Sequence, residues 1–258
     1  MAATYLERIL ERHREDAATD RRPLGALVDE AAAMPPTRGF EAALRGRPTL
    51  GVIAEIKRRS PSKGDLNTTL DPGALAATYE RGGAACLSVL TDREFFGGSA
   101  DDLQAARSAT SLPVLRKDFT VCELDVVDAR LMGADCVLLI AAALDPAELV
   151  DLHALGLQVG LDVLVEIHGE AELEHALSAG SSLIGVNQRD LVTFEVDHER
   201  AVRMARLIPG EAVKVAESGV RDGDDARGLR SAGYAAVLVG ETLVTSDDPA
   251  NTIAELTR

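Results

Sequence analysis

Two lysines and three glutamates stand at strand-like ends, where a proton-transfer site would need them. Glu55 and Lys57 close the apolar stretch from Leu50, Lys117 follows Pro113-Val-Leu-Arg, Glu166 follows a run of Val and Leu, and Glu217 follows Val213-Lys-Val-Ala. Residues two apart on a strand share a face, so Glu55 and Lys57 point the same way, as do Leu115, Lys117 and Phe119. Charges at the end of an apolar strand are costly to bury unless they are paired or used. Acids and amines crowded together push their pKa values apart, which leaves one group holding a proton and another able to take one. Each residue also has a plainer reading. Lys117 could pair with Asp118, Glu166 could be an exposed loop acid, Glu217 could neutralise a lysine, and Asn187 could satisfy loop backbone. Lys214, earlier in its strand, reads as structural, and His168 reads as an ordinary loop histidine.

A compositional bias sharpens the interest in the lysines. The chain has 23 arginines and four lysines, Lys57, Lys63, Lys117 and Lys214. Lysine is a compact charge whose pKa can be tuned, whereas arginine is effectively always protonated. A lysine that survives such a bias marks a place where guanidinium would not serve.

A repeating pattern could bring these residues together. Apolar strands are expected at 50–57, 84–90, 112–117, 135–140, 161–167, 182–187, 212–217 and 235–239. Amphipathic helices fit at 72–81, 100–109, 123–132, 146–155, 170–179, 198–207, 223–231 and 249–257. Strands alternating with helices predict a parallel sheet, and eight such units suit a closed α/β barrel, the (β/α)8 or TIM barrel. No G-x-G-x-x-G opens the first helix, which removes the main support for a dinucleotide-binding sheet. Three further helices are expected in front, at 4–16, 23–34 and 40–45. Thr4 and Glu7 supply a T-x-x-E capping box for the first. The expectation is one barrel domain spanning 1–258, of which 1–48 is an N-terminal helical extension.

In such a barrel the chemistry sits at the C-terminal strand ends. The fourth strand, Cys136–Leu144, ends with nothing polar before Asp145 and reads as an apolar wall. Glu217-Ser-Gly219 and Gly240-Glu241 follow the seventh and eighth strands, where glycine-bearing loops commonly receive phosphate. With Lys57, Ser60 and Arg189 available, a phosphorylated small molecule fits.

A net charge of −15 argues against general nucleic-acid binding and requires any anionic ligand to be drawn by a local cationic patch. The three cysteines follow no metal-site spacing, which suggests a reduced, cytoplasmic protein. The N-terminal residues carry Glu and Arg where a signal peptide needs an apolar stretch, and the longest apolar run is too short for a bilayer.

The segments IAEIKRRSPSKG, LSVLTDREFFGGS, PVLRKDF, LVEIH, GVNQRDL, AESGV and LVGETL, in that order, resemble indole-3-glycerol phosphate synthase over nearly the whole chain. The resemblance implies an enzyme of tryptophan biosynthesis. Such an enzyme closes the indole ring of 1-(2-carboxyphenylamino)-1-deoxyribulose 5-phosphate with loss of carbon dioxide and water, without metal or organic cofactor. It implies Lys117 as general acid at the carbonyl and Glu166 as general base, with Glu55, Lys57, Asn187, Glu217 and Ser218 completing the catalytic set. Ser60, Arg189, Gly219, Gly240 and Glu241 would lie on the phosphate side, and Phe96, Phe119 and Leu191 would wall the aromatic ring. Which of Lys57 and Lys117 acts at each proton transfer stays open at this level. Two departures from the family pattern are Arg59, where a small residue is usual, and Cys122-Glu-Leu-Asp-Val-Val after Phe119. No nucleic-acid or membrane partner is expected, and the chain should be a monomer or a weak homodimer. The alternatives are a Schiff-base aldolase using Lys117 or Lys214 and a non-catalytic barrel that binds a sugar phosphate.

Overall fold

The structure is a computed structural model that describes residues 4–61 and 63–258; Ser62, inside the turn expected after the first strand, lies outside the described residues. Eight strands form its centre: β1 (Gly51–Ile56), β2 (Cys86–Leu90), β3 (Val114–Lys117), β4 (Cys136–Ile140), β5 (Asp162–Ile167), β6 (Leu183–Asn187), β7 (Val213–Glu217) and β8 (Ala236–Val239). Each pairs in parallel with its neighbours in sequence, and β8 returns to β1 to close the barrel. This is the (β/α)8 architecture that the alternation of strands and helices predicts.

The strands are apolar on both faces because both are covered. Val52, Ala54 and Ile56 face outward into the shell shared with the helices. Ile53 faces inward, with Leu115, Leu138, Leu164, Leu183, Val215 and Leu238. One pleat further along the inward rows, beyond this apolar plug, come Glu55, Lys117, Glu166 and Glu217. Strand parity thus places every member of the charged set at one mouth.

The extension wraps the barrel from end to end. Its first helix, α1 (Tyr5–Thr19), begins on the expected capping box, with Thr4 Oγ1 accepting from the Glu7 N–H and Glu7 Oε2 accepting from the Thr4 N–H. It lies at the mouth, where Tyr5 packs edge-on against Phe95 and Phe194 and Arg14 donates to Glu148 at 3.0 Å. Next, α2 (Leu24–Ala33) runs along the outside, and just before it Arg22 pairs with Asp128 at 2.8 Å. Then α3 (Phe40–Leu44) plugs the opposite end: Phe40 and Leu44 are fully buried in the barrel interior. Asp135 and Asp162, at the starts of β4 and β5, accept the N–H groups of Arg38 and Glu41 at 2.8 and 2.9 Å and hold that plug in place. Burying a side chain such as Phe40 contributes about 1.5–3 kcal/mol.

Helices α4 (Pro72–Arg81), α5 (Ala100–Ala109), α6 (Glu123–Leu131), α7 (Pro146–Gln158), α8 (Glu170–Ser178), α9 (His198–Ala205) and α10 (Gly223–Ser231) fill the crossovers. Then α11 (Glu241–Val244) and α12 (Pro249–Leu256) complete the chain. Helix α9 stops at Ala205, short of the expected 207, because Pro209 turns Ile208 away from helical geometry. Three short features escape the sequence pattern: α11, a 3-10 turn at Ala141–Ala143, and an antiparallel hairpin pairing Arg59–Ser60 with Gly64–Asp65. Arg59 ties that hairpin to the loop after β2 by donating to the Arg93 carbonyl at 3.1 Å. Among the described residues no helix is long and apolar enough to cross a membrane.

Candidate active site

Every residue expected in the site lines one cavity of about 380 Å³ at the C-terminal mouth. At its centre Lys117 Nζ, from β3, donates to Glu166 Oε2, from β5, at 3.3 Å. The plainer pairing of Lys117 with Asp118 does not occur. Asp118 points to the other side of β3, where it meets Arg116 at 3.0 Å and the Thr91 hydroxyl. Nor is Glu166 an exposed loop acid, since it is 1% exposed. Asn187 Nδ2, from β6, donates to Glu166 Oε1 at 2.9 Å, and the Arg189 N–H fixes the amide by donating to Asn187 Oδ1 at 3.0 Å.

The charges set each other's protonation. Burial works to raise the Glu166 carboxyl, but Lys117 and His168 outweigh it and hold Glu166 below the usual carboxylate range. Burial works to strip the Lys117 ammonium, yet Glu166, Glu217 and Glu55 outweigh it and raise Lys117 above the usual lysine value. Glu217 behaves in the opposite way to Glu166. Burial, then the neighbouring Glu166 charge, push its carboxyl well above the ordinary value. Its Oε1 has no hydrogen-bond partner among the described residues. Glycine at position 185 on β6 gives Glu217 its room, because any Cβ there would collide with that oxygen. Two carboxyls in one mouth are thus held in opposite states.

Across the mouth Glu55 and Lys57 pair at 2.5 Å, and Ser88 Oγ approaches the other Glu55 oxygen at 3.5 Å. Gly240 is required here for the same reason as Gly185: a Cβ would run into the Glu55 carboxylate and approach Lys57 Nζ to 3.1 Å. Ser218, directly after Glu217, holds φ at 64°, a conformation costly for a residue with a side chain. Gln188 Nε2 secures that turn by donating to the Ser218 carbonyl at 2.8 Å.

Phe96 and Phe119 stand 6.1 Å apart, tilted by 36°, and with Leu191 make an apolar slot. Ile140 supplies the apolar wall expected from β4. On the far side Gly219 (φ +75°) and Gly240 bring two loops together, and Thr242 Oγ1 ties them by donating to the Val220 carbonyl at 2.8 Å. Ser60, Arg189 and Glu241 border the same end, with Lys63 3.4 Å and Arg189 4.0 Å from Glu241. Lys214 lies elsewhere, donating to the Ala205 carbonyl outside the barrel at 2.8 Å, which is the structural role expected of it.

Sequence reasoning missed several lining residues. Lys63 was visible as one of four lysines, but nothing assigned it to the mouth. Phe194, Val196 and His198 arrive on an irregular loop whose path has no periodic signature. His168 was underestimated: Glu172 Oε2 holds both its N–H and its Nδ1, at 2.7 and 3.1 Å, and its Nε2 lies 3.6 Å from Glu166 Oε1. His13, Asp92 and Asp118 form a described trio close enough to share a cation. Arg116 already answers Asp118, and the Phe95 and Phe96 N–H groups answer Asp92, so the trio's charge is met from within the chain.

Residues 6–256 match the family model described as Indole-3-glycerol phosphate synthase. Two proteins named indole-3-glycerol phosphate synthase are similar over almost their full lengths. That of Polaromonas naphthalenivorans is 46% identical over 256 residues, covering 97% of this chain and 97% of its own. That of a Parafrankia species is 49% identical over 253 residues, covering 97% and 94%. Among solved structures, a 3-hexulose-6-phosphate synthase superposes with TM-score 0.62 at 16% identity, covering 80% of this chain and 98% of its own. A thiamine phosphate pyrophosphorylase from Pyrococcus furiosus does so at 0.61 and 15%, covering 80% and 93%. These two speak for the barrel fold alone.

Proposed function

The chain belongs to the indole-3-glycerol phosphate synthase family, and from that premise we propose how its own residues divide the work. The enzyme is a carboxy-lyase of tryptophan biosynthesis that closes the indole ring of 1-(2-carboxyphenylamino)-1-deoxyribulose 5-phosphate, with loss of carbon dioxide and water. The aromatic ring enters the slot between Phe96 and Phe119, walled by Leu191. The phosphate is received by Ser60, Lys63, Arg189 and the N–H groups around Gly219, Gly240 and Glu241. Anchoring both ends folds the flexible sugar chain back on the ring and removes much of the entropic barrier to closure.

Lys117 then donates to the ketone oxygen as the ring carbon attacks. That oxygen becomes an alkoxide, a strong base, and an ammonium held by carboxylates is a matched donor for it. Carbon dioxide leaves and the ring regains aromaticity. Glu166, held ionised, takes the proton released as water departs, and Asn187 keeps its carboxylate aimed. Lys57, beside Gly240, serves the sugar hydroxyls with Glu55 as its counterion, and the neutral Glu217 donates into the same space from the strained Ser218 turn. All these groups come from one chain, so the site works as a monomer. The free cysteines suit a cytoplasmic setting.

The observation that carries this division is the buried Lys117–Glu166 pair facing an aromatic slot, beside a Glu217 whose Oε1 has no hydrogen-bond partner among the described residues. It disfavours the Schiff-base alternative, because the Glu166 and Glu55 carboxylates keep the Lys117 amine charged and Lys214 lies outside the barrel. The test is to supply the carboxyphenylamino substrate and follow indole fluorescence, with borohydride added in parallel. Fluorescence that depends on Lys117 and Glu166, with no trapped adduct, is expected. A trapped adduct on Lys117 would overturn the assignment.

A further inference from the structure

His168 touches the Glu166 carboxylate from behind and also lines a second cleft, about 430 Å³ in volume and bordered by Glu170, Arg200, Arg203 and Leu207, which shares no lining residue with the substrate cavity. Its Nε2 is buried without a hydrogen-bond partner among the described residues and lies 3.6 Å from Glu166 Oε1. Its other ring nitrogen is fixed by Glu172, whose carboxylate is about a quarter exposed. The two oxygens of Glu166 therefore face different partners: Oε1 faces His168 and Oε2 faces Lys117. We propose that His168, backed by Glu172, relays solvent protons from this outer cleft through Glu166 to Lys117 while substrate fills the mouth.

The stoichiometry of the reaction requires such a supply. Ring closure places one proton on the ketone oxygen. The electron pair of the C–CO₂ bond returns to the ring as carbon dioxide leaves. Departure of the hydroxyl as water consumes a second proton, and the new C=C bond forms as the adjacent C–H gives one up. Two protons enter and one leaves, so each turnover of the carboxylate substrate draws one proton from solvent. With the mouth occupied, the side of the site behind Glu166 offers a path. The Nε2 proton of the imidazolium passes to Glu166 Oε1, a turn of the protonated carboxyl carries it to the Lys117 amine, and the neutral imidazole regains its Nε2 proton when the ring turns towards water in the cleft.

The surroundings of His168 suit this role. Burial disfavours its cation and Arg200 of α9 repels it, but Glu172 of α8 and Glu166 of β5 outweigh both, so the ring holds a proton more firmly than an ordinary histidine. The proposal rests on the assignment of Lys117 and Glu166 as acid and base.

The experiment compares His168→Gln and His168→Ala with wild type, using Glu166→Gln and Lys117→Ala as references. Both His168 variants should lose at least about tenfold in kcat, less than the ~10²–10⁴ of a directly acting group, with KM little changed. Added imidazole should restore kcat of His168→Ala in proportion to its concentration, and a purely structural role would not respond to it. Unchanged kcat in both variants, or a loss in natively folded protein that imidazole does not restore, overturns the relay. If the references are inactive and the His168 variants match wild type, the relay alone fails. If the references keep wild-type turnover, the acid–base assignment fails and the relay fails with it.

Discussion

Lys117 is asked to give a proton to an oxygen that turns into an alkoxide, and few side chains can do that from this position. Lys117→Ala should lower kcat by about 10²–10⁴-fold while circular dichroism stays native. Lys117→Arg should do little better, because a guanidinium keeps the charge but surrenders no proton near neutral pH. Near wild-type kcat in the arginine variant would reduce Lys117 to an electrostatic cation. Glu217 gives a prediction about stability. Its folded-state pKa is raised by burial and by Glu166, so the protonated form suits the folded state below the unfolded value of about 4.3, and that advantage is lost as pH climbs through the raised value. Glu217→Gln should therefore match wild type in melting temperature near pH 4 and exceed it at pH 8, while losing activity. A melting difference that stays flat across that range would show that folding leaves the Glu217 pKa unshifted. The identities of these residues were legible as charges at strand ends. Their partners were not, because Lys117 and Glu166 are brought together by barrel closure, and local sequence showed only the decoy Asp118.

Helix α1 is the element whose attachment the sequence pattern least revealed. Leu6, Ile9, Leu10 and His13 recur at helical spacing and give α1 one face to cover, and Ile9 on that face is buried. What fixes α1 at the mouth is His13, whose Nε2 sits 3.0 Å from Asp92 and 3.8 Å from Asp118. Its ring also leans on Phe119 at 5.7 Å. Contacts between residues so distant in the chain leave no periodic trace. Burial pulls the His13 pKa down, but Asp92 and Asp118 outweigh it and leave it raised. A raised histidine contributes stability that is fully present below its unfolded pKa of about 6.5 and is lost as pH rises through the folded value. His13→Gln should accordingly lower the melting temperature more at pH 6 than at pH 9, and it should raise KM through the loosened Phe119 wall. Equal destabilisation at both pH values would show that folding leaves the His13 pKa unshifted. The hairpin at Arg59–Ser60 was invisible for a different reason: a two-residue ladder is too short to show alternation.

The whole molecule carries a net charge of −15 and must still attract a phosphorylated anion. It does so by confining Lys57, Lys63, Lys117 and Arg189 to one mouth, where converging charges act over short range. Saturating substrate analogue at about 100 times Kd should stabilise the fold by about 2.7 kcal/mol, a melting shift of roughly 5–10 °C for a chain of this size. Lys63→Ala should shrink that shift without altering the melting temperature of the free protein, because Lys63 is 55% exposed and pairs only at the rim. An undiminished shift would move the phosphate away from this hairpin. At this scale the architecture was the most legible part, since eight repeats of one pattern admit few closures, whereas the outer cleft behind His168 arises from packing between helices and has no counterpart in the pattern. The scarcity of lysine has a further, practical consequence. Of the four side-chain amines, Lys57 and Lys117 are enclosed in the mouth, Lys214 is engaged with the Ala205 carbonyl, and Lys63 stands open on the rim. Amine-reactive dyes, crosslinkers and coupling resins will therefore find their most open side-chain target on the doorstep of the active site, so a preparation immobilised through its lysines will have its entrance turned to the support.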